Sequence, residues 1–120
     1  MALSWHFDDR PDHLLVIVDG RWHIQSVLKL IDEIGRRCRE RNHLRVLIDM
    51  RQAAGPASES DRYLSGVRVA SALGQIKVAT VIAESEFETG FAARVAERRG
   101  GRLFVTKDTE EARQWLFEGD

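Results

Sequence analysis

Several features that usually narrow the function of a chain are scarce in these 120 residues. Cysteine occurs once, at Cys38, which excludes an intrachain disulfide and a thiolate metal cluster. The formal net charge is only −1, so the chain has no overall electrostatic attraction to nucleic acid or to an anionic membrane. The longest apolar run, LLVIV at 14–18, is far too short to span a bilayer. We therefore expect no nucleic-acid partner and no membrane insertion.

The first ten residues also lack the pattern of a secretory signal peptide. MALSWHFDDR has no basic region followed by an apolar stretch, so we expect a cytoplasmic location. No repeat, linker or low-complexity segment divides the chain, and we expect a single domain over 1–120. A domain of this length buries roughly two-thirds of the surface of its unfolded chain, which is enough for an independent core.

Hydrophobic periodicity predicts an α/β fold with the element order ββαβαβαβα. The predicted strands are 3–8, 13–20, 44–50, 76–83 and 102–106, and the predicted helices are 23–41, 58–73, 84–99 and a last helix capped by Asp108 with Glu111. Because β-α-β crossovers are almost always right-handed, sequential strands would place the crossover helices on one face of a mostly parallel sheet. We expect the first strand to be antiparallel at an edge. The predicted deep core is Val46, Ile48, Val78 and Ile82.

The other sheet face has a mixed composition. It carries Leu15, Ile17, Leu47 and Val81, interrupted by Arg45 and Lys77. Contiguous apolar area of this kind is rarely left to water, so we predict a homodimer that buries this face or the Trp22–Met50 side. The alternative is that the last helix folds back within one chain and covers the face with Trp115 and Leu116.

Four stretches carry a further signal. They are VIVDGRW (16–22), VLIDMR (46–51), KVATVI (77–82) and FETGFAARVAERRGGRLFVTKDTEEARQWL (87–116). The last one joins a phenylalanine-bearing helix, a glycine pair, a short strand, an acidic turn and an Ala-x-x-Trp-Leu ending. Together they resemble the SpoIIAA-like family, which is related to STAS domains (sulfate transporters and anti-sigma factor antagonists). The resemblance implies a five-stranded β/α superhelix with a regulatory, non-enzymatic role through protein–protein interaction.

The resemblance also directs attention to the start of the second helix. In STAS-type antagonists a phosphorylated serine lies there, in an Asp-Ser-Ser-Gly type motif. This chain has GPASES at 55–60 instead, and Ser58 lies nearest to the helix start, followed by Ser60. Ser58 is therefore the candidate phosphosite. Its spacing to Asp61 also fits a capping box, so the alternative is a purely structural cap.

The candidate partner or ligand loop combines these serines with residues at strand ends. Its members are Trp22, Asp49, Met50, Arg51, Ser58 and Ser60. We expect Asp49 to pair with Arg51 or Arg45 rather than to act as a general base. Trp22 either packs at the entry of the first long helix or forms the wall of a ligand or partner groove.

We find no pattern that indicates catalysis, a cofactor or a metal. The chain has no nucleophile elbow, phosphate-binding glycine loop or dinucleotide fingerprint. The histidines, at His6, His13, His23 and His43, lack the spacing of metal ligands. Two functions stay open. The first is a protein-interaction module, and the second is a carrier or sensor of a small non-polar ligand, which an internal apolar cavity would favour.

Overall fold

The computed structural model describes residues 2–54, 58–83 and 90–118, and it has the predicted element order. The strands are β1 (Ser4–Asp9), β2 (Leu14–Arg21), β3 (Arg45–Ala54), β4 (Lys77–Ile82) and β5 (Arg102–Thr106). The helices are α1 (Ile24–Arg41), α2 (Glu59–Leu73), α3 (Phe91–Arg98) and α4 (Thr109–Phe117). Most bounds lie within one or two residues of the prediction. The third helix was predicted from residue 84, and 84–89 lie outside the described residues.

The sheet confirms the predicted α/β architecture. Its spatial order is β1-β2-β3-β4-β5, with β1 antiparallel to β2 at an edge and the other neighbours parallel. Since the strands lie in sequence order and the crossovers share one hand, α1, α2 and α3 pack on the same face. Gly66 of α2 permits the close approach of α3. A Cβ at this position would lie 2.6 Å from the carbonyl oxygen of Ala92, which is too short for a contact.

The main core lies between these three helices and the sheet. The inward stripe of α1 recurs at helical spacing: Val27, Leu30, Ile31, Ile34 and Cys38 are all buried. Val46, Ile48 and Val78 face them from the strands and are buried as predicted. The prediction of deep burial was wrong for Ile82, which is half-buried because β4 ends there, beside a cavity.

Helix α4 packs on the opposite face of the sheet, and this corrects the expectation that the face stays open for a second chain. Leu47 and Val81 are buried against Ala112 and Leu116 of α4. Within the part of the chain that the structure describes, α4 does not connect two parallel strands, so the handedness of crossovers does not confine it to the side of the other helices. The alternative named above, in which the last helix covers the face within one chain, is therefore the correct one. Ile17 of β2, which pairs with His6 of the edge strand β1, is 41% exposed.

The two cations that interrupt this face hold the C-terminal end of α4. The Lys77 ammonium donates to the carbonyl oxygen of Trp115 at 2.7 Å and lies 4.6 Å from the centre of its ring. The Arg45 guanidinium donates to the carbonyl oxygen of Leu116 at 3.1 Å. Terminal carbonyls of a helix have no partner within the helix, and cations complement the negative end of its dipole. Both side chains thus attach α4 to the sheet.

Strand β3 continues four residues beyond its predicted end. The register between β2 and β3 shifts between Ile17 and Asp19, after which Gln52 pairs with Asp19 and Ala54 with Arg21. Arg51, which the prediction placed after the strand, therefore lies within β3, as Met50 was predicted to do. Within the described residues, no helix has both the length and the hydropathy needed to cross a bilayer.

Candidate functional site

Asp49 and Arg51 form an ion pair on one face of β3. The Arg51 guanidinium donates to both carboxylate oxygens of Asp49, with Nε–Oδ1 at 3.0 Å and Nη2–Oδ2 at 2.8 Å, and the Arg51 amide donates to Oδ1 at 3.1 Å. Residues two apart in a strand share a face, which explains the pairing. The hydrogen bonds from Arg51 lower the pKa of Asp49 below its ordinary value. Of the two pairings considered above, the structure shows the one with Arg51.

Ser58 caps α2. Its hydroxyl oxygen accepts a hydrogen bond from the Asp61 amide at 3.0 Å, and the Asp61 carboxylate accepts one from the Ser58 amide at 3.4 Å. This is the predicted capping box. Ser60 lies two residues into the helix and is exposed. Ser58 stays a candidate phosphosite on the sequence alone.

Trp22 connects the start of α1 to the start of α2. Its indole N–H donates to the Asp61 carboxylate at 3.3 Å, and its backbone amide donates to the carbonyl oxygen of Ala54 at 2.6 Å. Trp22 and Val27, the fourth residue of α1, line the same cavity. The side chain therefore combines both roles considered above, because it lies at the helix entry and also forms part of a cavity wall.

That cavity, of about 130 Å³, lies between the sheet and the three helices on its face. Its lining is Trp22, Val27, Leu30, Ile31, Ile48, Met50, Ala53, Arg62, Ser65, Val69, Thr80, Ile82, Ala92, Leu103 and Val105. Leu30, Val69 and Leu103 are buried, whereas Met50 and Ile82 at the strand ends are half-buried. The cavity therefore comes closest to the surface at the carboxyl ends of β3 and β4.

Of this lining, the predicted candidate site included only Trp22 and Met50, and the predicted core included Ile48 and Ile82. The missed signal is small side chains at inward positions, since Ala53, Ser65 and Ala92 leave space that a leucine would fill. The Ser65 hydroxyl donates to the backbone carbonyl of Asp61 at 2.9 Å, so its polarity is satisfied within the helix. The lining is consequently apolar apart from a few groups, which is the usual character of a small-molecule site.

An exposed apolar patch lies near the N-terminal end of α2. Tyr63 and Leu64 are 42% and 45% exposed, and together with Glu59, Ser60 and Phe91 they surround a depression of about 400 Å³. The Arg99 guanidinium donates to the Tyr63 hydroxyl at 2.8 Å. Of these residues, the prediction included only Ser60. The available signal was two large side chains in succession on a weakly amphipathic helix.

The thiol of Cys38 is not set up to react. Cys38 is buried, and desolvation raises the pKa of its thiol to about 11, so the thiolate that would react or bind metal is not formed at neutral pH. Among residues 2–54, 58–83 and 90–118, no group of three or more histidine, cysteine or acidic side chains is arranged to hold a metal ion.

Comparison with known proteins places the fold but gives no sequence relative. No protein-family model matches the chain, and no curated protein matches it. The crystal structure of an anti-sigma factor antagonist from Mycobacterium paratuberculosis superimposes with a TM-score of 0.58 at 14% identity, covering 98% of this chain and 96% of that chain. An uncharacterised Shewanella loihica protein with a SpoIIAA-like fold superimposes with a TM-score of 0.51 at 17% identity, over 95% of this chain and 93% of that chain. The element order, the sheet topology and these two likenesses together show that the chain has a SpoIIAA-like fold, related to that of STAS domains.

Proposed function

We propose that this chain is a non-enzymatic, cytoplasmic binding domain that regulates a protein partner through direct contact. The observation that carries the proposal is a surface patch in which the exposed Tyr63 and Leu64 lie beside the half-buried Phe91. Large apolar side chains grouped at the surface mark interaction sites, and tyrosine is enriched at the centres of interfaces. One structural neighbour is an anti-sigma factor antagonist, a name that is in keeping with a regulatory protein contact.

The candidate serines lie at the same end of α2 as this patch. Ser60 borders the depression, and Ser58 caps the helix two residues earlier. A phosphate on Ser58 would add negative charge beside Glu59 and Asp61, and like-charge repulsion opposes it. We therefore propose that Ser58 acts as a cap and that partner contact does not depend on its phosphorylation.

Substitution of Leu64 by glutamate tests the interaction proposal. Tagged parent protein, a Leu64→Glu variant and a Leu44→Glu variant are expressed in the native host, and the proteins that co-purify with each are quantified. Leu44 is 71% exposed and is not part of the patch, so it provides a matched control. We expect a partner that is retained by the parent and by Leu44→Glu but lost from Leu64→Glu. If no co-purifying protein depends on Leu64, the proposal is wrong.

The same variants test self-association. With α4 covering the second sheet face, the patch of Tyr63, Leu64 and Phe91 is the surface that we propose for a homodimer. Light scattering at micromolar concentration measures the mass of each variant in solution. A dimer that becomes a folded monomer on Leu64→Glu substitution identifies a second copy of the chain as the partner. A monomeric parent protein would exclude this form of the proposal.

The cavity favours a second candidate function, a carrier or sensor of a small non-polar ligand. Its volume of about 130 Å³ is close to that of an engineered cavity of roughly 150 Å³ that stays dry and binds benzene. Natively purified protein that retains a small molecule by native mass spectrometry, and loses it when Ala92→Leu fills the cavity, would support this function. Protein with no bound mass and no response to added apolar compounds would contradict it.

A further inference from the structure

Among the described residues that line the cavity, Arg62 alone carries a permanent charge. It is half-buried at the fourth position of α2. Within residues 2–54, 58–83 and 90–118, its guanidinium has no hydrogen-bond or ion-pair partner. A guanidinium has five donors and no acceptor, and beside an apolar wall it is stabilised by a group that accepts from it.

The local structure gives no reason for a cation at this position. The positive end of a helix dipole favours acidic side chains, and α2 duly begins with Glu59 and Asp61. Arg62 follows them where the dipole opposes it. The neighbouring carboxylate of Asp61 accepts through Oδ2 from the indole of Trp22 and from the amide of Ser58, and residues adjacent in a helix do not face each other, so Asp61 does not pair with Arg62. Among the described residues none pairs with the guanidinium, which leaves it available to a ligand.

We infer that the cavity binds a small monocarboxylate whose apolar body has about six carbon atoms, with the carboxylate on the Arg62 guanidinium. This inference rests on the second candidate function and gives its ligand class. Arginine matches a carboxylate with two parallel hydrogen bonds, a geometry that an ammonium lacks. A cavity of about 130 Å³ accommodates a body the size of benzene or a short alkyl chain.

The lining assigns the two ends of such a ligand. Leu30, Val69 and Leu103 are buried and take the apolar body at the closed end. Arg62 and Met50 are half-buried, so the head group lies toward the strand ends. Methionine is unbranched and adapts to chains of differing shape. An amine head group would be repelled by Arg62, and a neutral head group would leave the charge without a partner.

Calorimetric titration with three compounds of equal chain length tests this inference. Hexanoate, 1-hexanol and hexylamine are added separately to the full-length protein at 150 mM salt and pH 7. The parent protein is expected to bind hexanoate about fivefold or more tightly than hexanol, and hexylamine least. Arg62→Met keeps an unbranched side chain but removes the charge, and it should bring hexanoate and hexanol to equal affinity. Arg62→Lys should keep part of the preference.

Two further variants separate the site from general effects. Arg36→Met removes a charge from the exposed surface of α1 away from the cavity and should leave the preference unchanged. Ala92→Leu fills the cavity and should abolish binding of both hexanoate and hexanol. A melting curve confirms that each variant is folded. If Ala92→Leu does not fold, amide chemical-shift changes of the cavity residues in the parent protein, measured on addition of hexanoate, show whether the ligand binds in the cavity.

The outcomes distinguish this inference from the function on which it rests. If hexanol binds as tightly as hexanoate in the parent, or if Arg62→Met keeps the preference, the cavity is an apolar site and the carboxylate inference is overturned. If Arg36→Met removes the preference as Arg62→Met does, the effect is one of net charge, which also overturns it. If none of the compounds binds the folded parent, both the inference and the carrier function fail.

Discussion

Truncation of Leu47 is the most direct test of how α4 covers the sheet. Leu47 is 3% exposed between Ala79 and Val81 of β4 and the helix residues Ala112 and Leu116. Leu47→Ala removes buried methyl groups and leaves space that rigid strands cannot close, so the free energy of unfolding should fall by about 2–5 kcal/mol. That is a large part of the 5–15 kcal/mol typical of a native domain.

Leu44 supplies a matched control three residues earlier in the chain. It is 71% exposed, so Leu44→Ala makes the same chemical change without opening a cavity and should shift the free energy of unfolding by no more than about 0.5 kcal/mol. Urea unfolding followed by far-ultraviolet circular dichroism measures both variants. Fluorescence of Trp115, which stacks on Phe104, reports on the docking of α4.

Two results would refute the assignment of this face to the core. One is a loss below about 1 kcal/mol for Leu47→Ala. The other comes from Leu47→Glu, which places a carboxylate in the buried layer at a cost of several kcal/mol and should leave the chain largely unfolded. A Leu47→Glu variant that is a well-folded monomer, derived from a dimeric parent, would mean that the face binds a second chain and that α4 is not fixed upon it.

Further predictions concern a cap, an ion cluster and a thiol. Ser58→Ala should cost about 1 kcal/mol of stability in chemical denaturation, whereas Ser58→Asp should retain the cap and leave partner binding unchanged; loss of binding at an unchanged melting temperature would instead indicate a phosphorylation switch. Asp9 accepts hydrogen bonds from Arg37 at 2.7 Å and from His43 at 2.8 Å, and these contacts lower the pKa of its carboxyl to about 2. Because the folded pKa lies below the ordinary value of 3.8, Asp9 stabilises the fold above about pH 4, and this contribution is lost between about pH 4 and pH 2. The difference in urea midpoint between the parent and Asp9→Asn should therefore shrink over that range, and a difference that stays constant would contradict the assignment. The buried thiol of Cys38 should react with a thiol reagent only after unfolding, so rapid labelling of native protein would show that α1 opens locally.

The order of elements could be predicted because it depends on local patterns. The stripe of Val27, Ile31 and Ile34 repeats at the helical period, and Val46 alternates with Leu47 across β3. The capping box of Ser58 also follows from residues three apart. At α4 only half of the predicted capping box forms. The Asp108 side chain caps the helix, whereas the Glu111 carboxylate accepts from the Thr106 hydroxyl at 2.7 Å.

The candidate site was predicted only where neighbours in sequence determine the contact. The pair of Asp49 and Arg51 was found because the two residues share a strand face. Arg62 and Leu64 were missed. Whether a helical side chain faces a cavity or the solvent depends on how α2 is rotated against α3 and the sheet, and the short-range pattern of this weakly amphipathic helix does not fix that rotation.

The sequence by itself determined which segments are strands and helices and that the parallel strands follow one another, because hydrophobic period, capping residues and crossover handedness are local or nearly universal properties. Tertiary structure decided where α4 lies, since Arg45 and Lys77 look like interruptions of an apolar face until the carbonyl groups of α4 reach them. It also decided that about 130 Å³ stays unfilled beside Trp22 and Arg62. A cavity is the difference between the volume that the backbone encloses and the volume that side chains fill, and only the assembled elements define both.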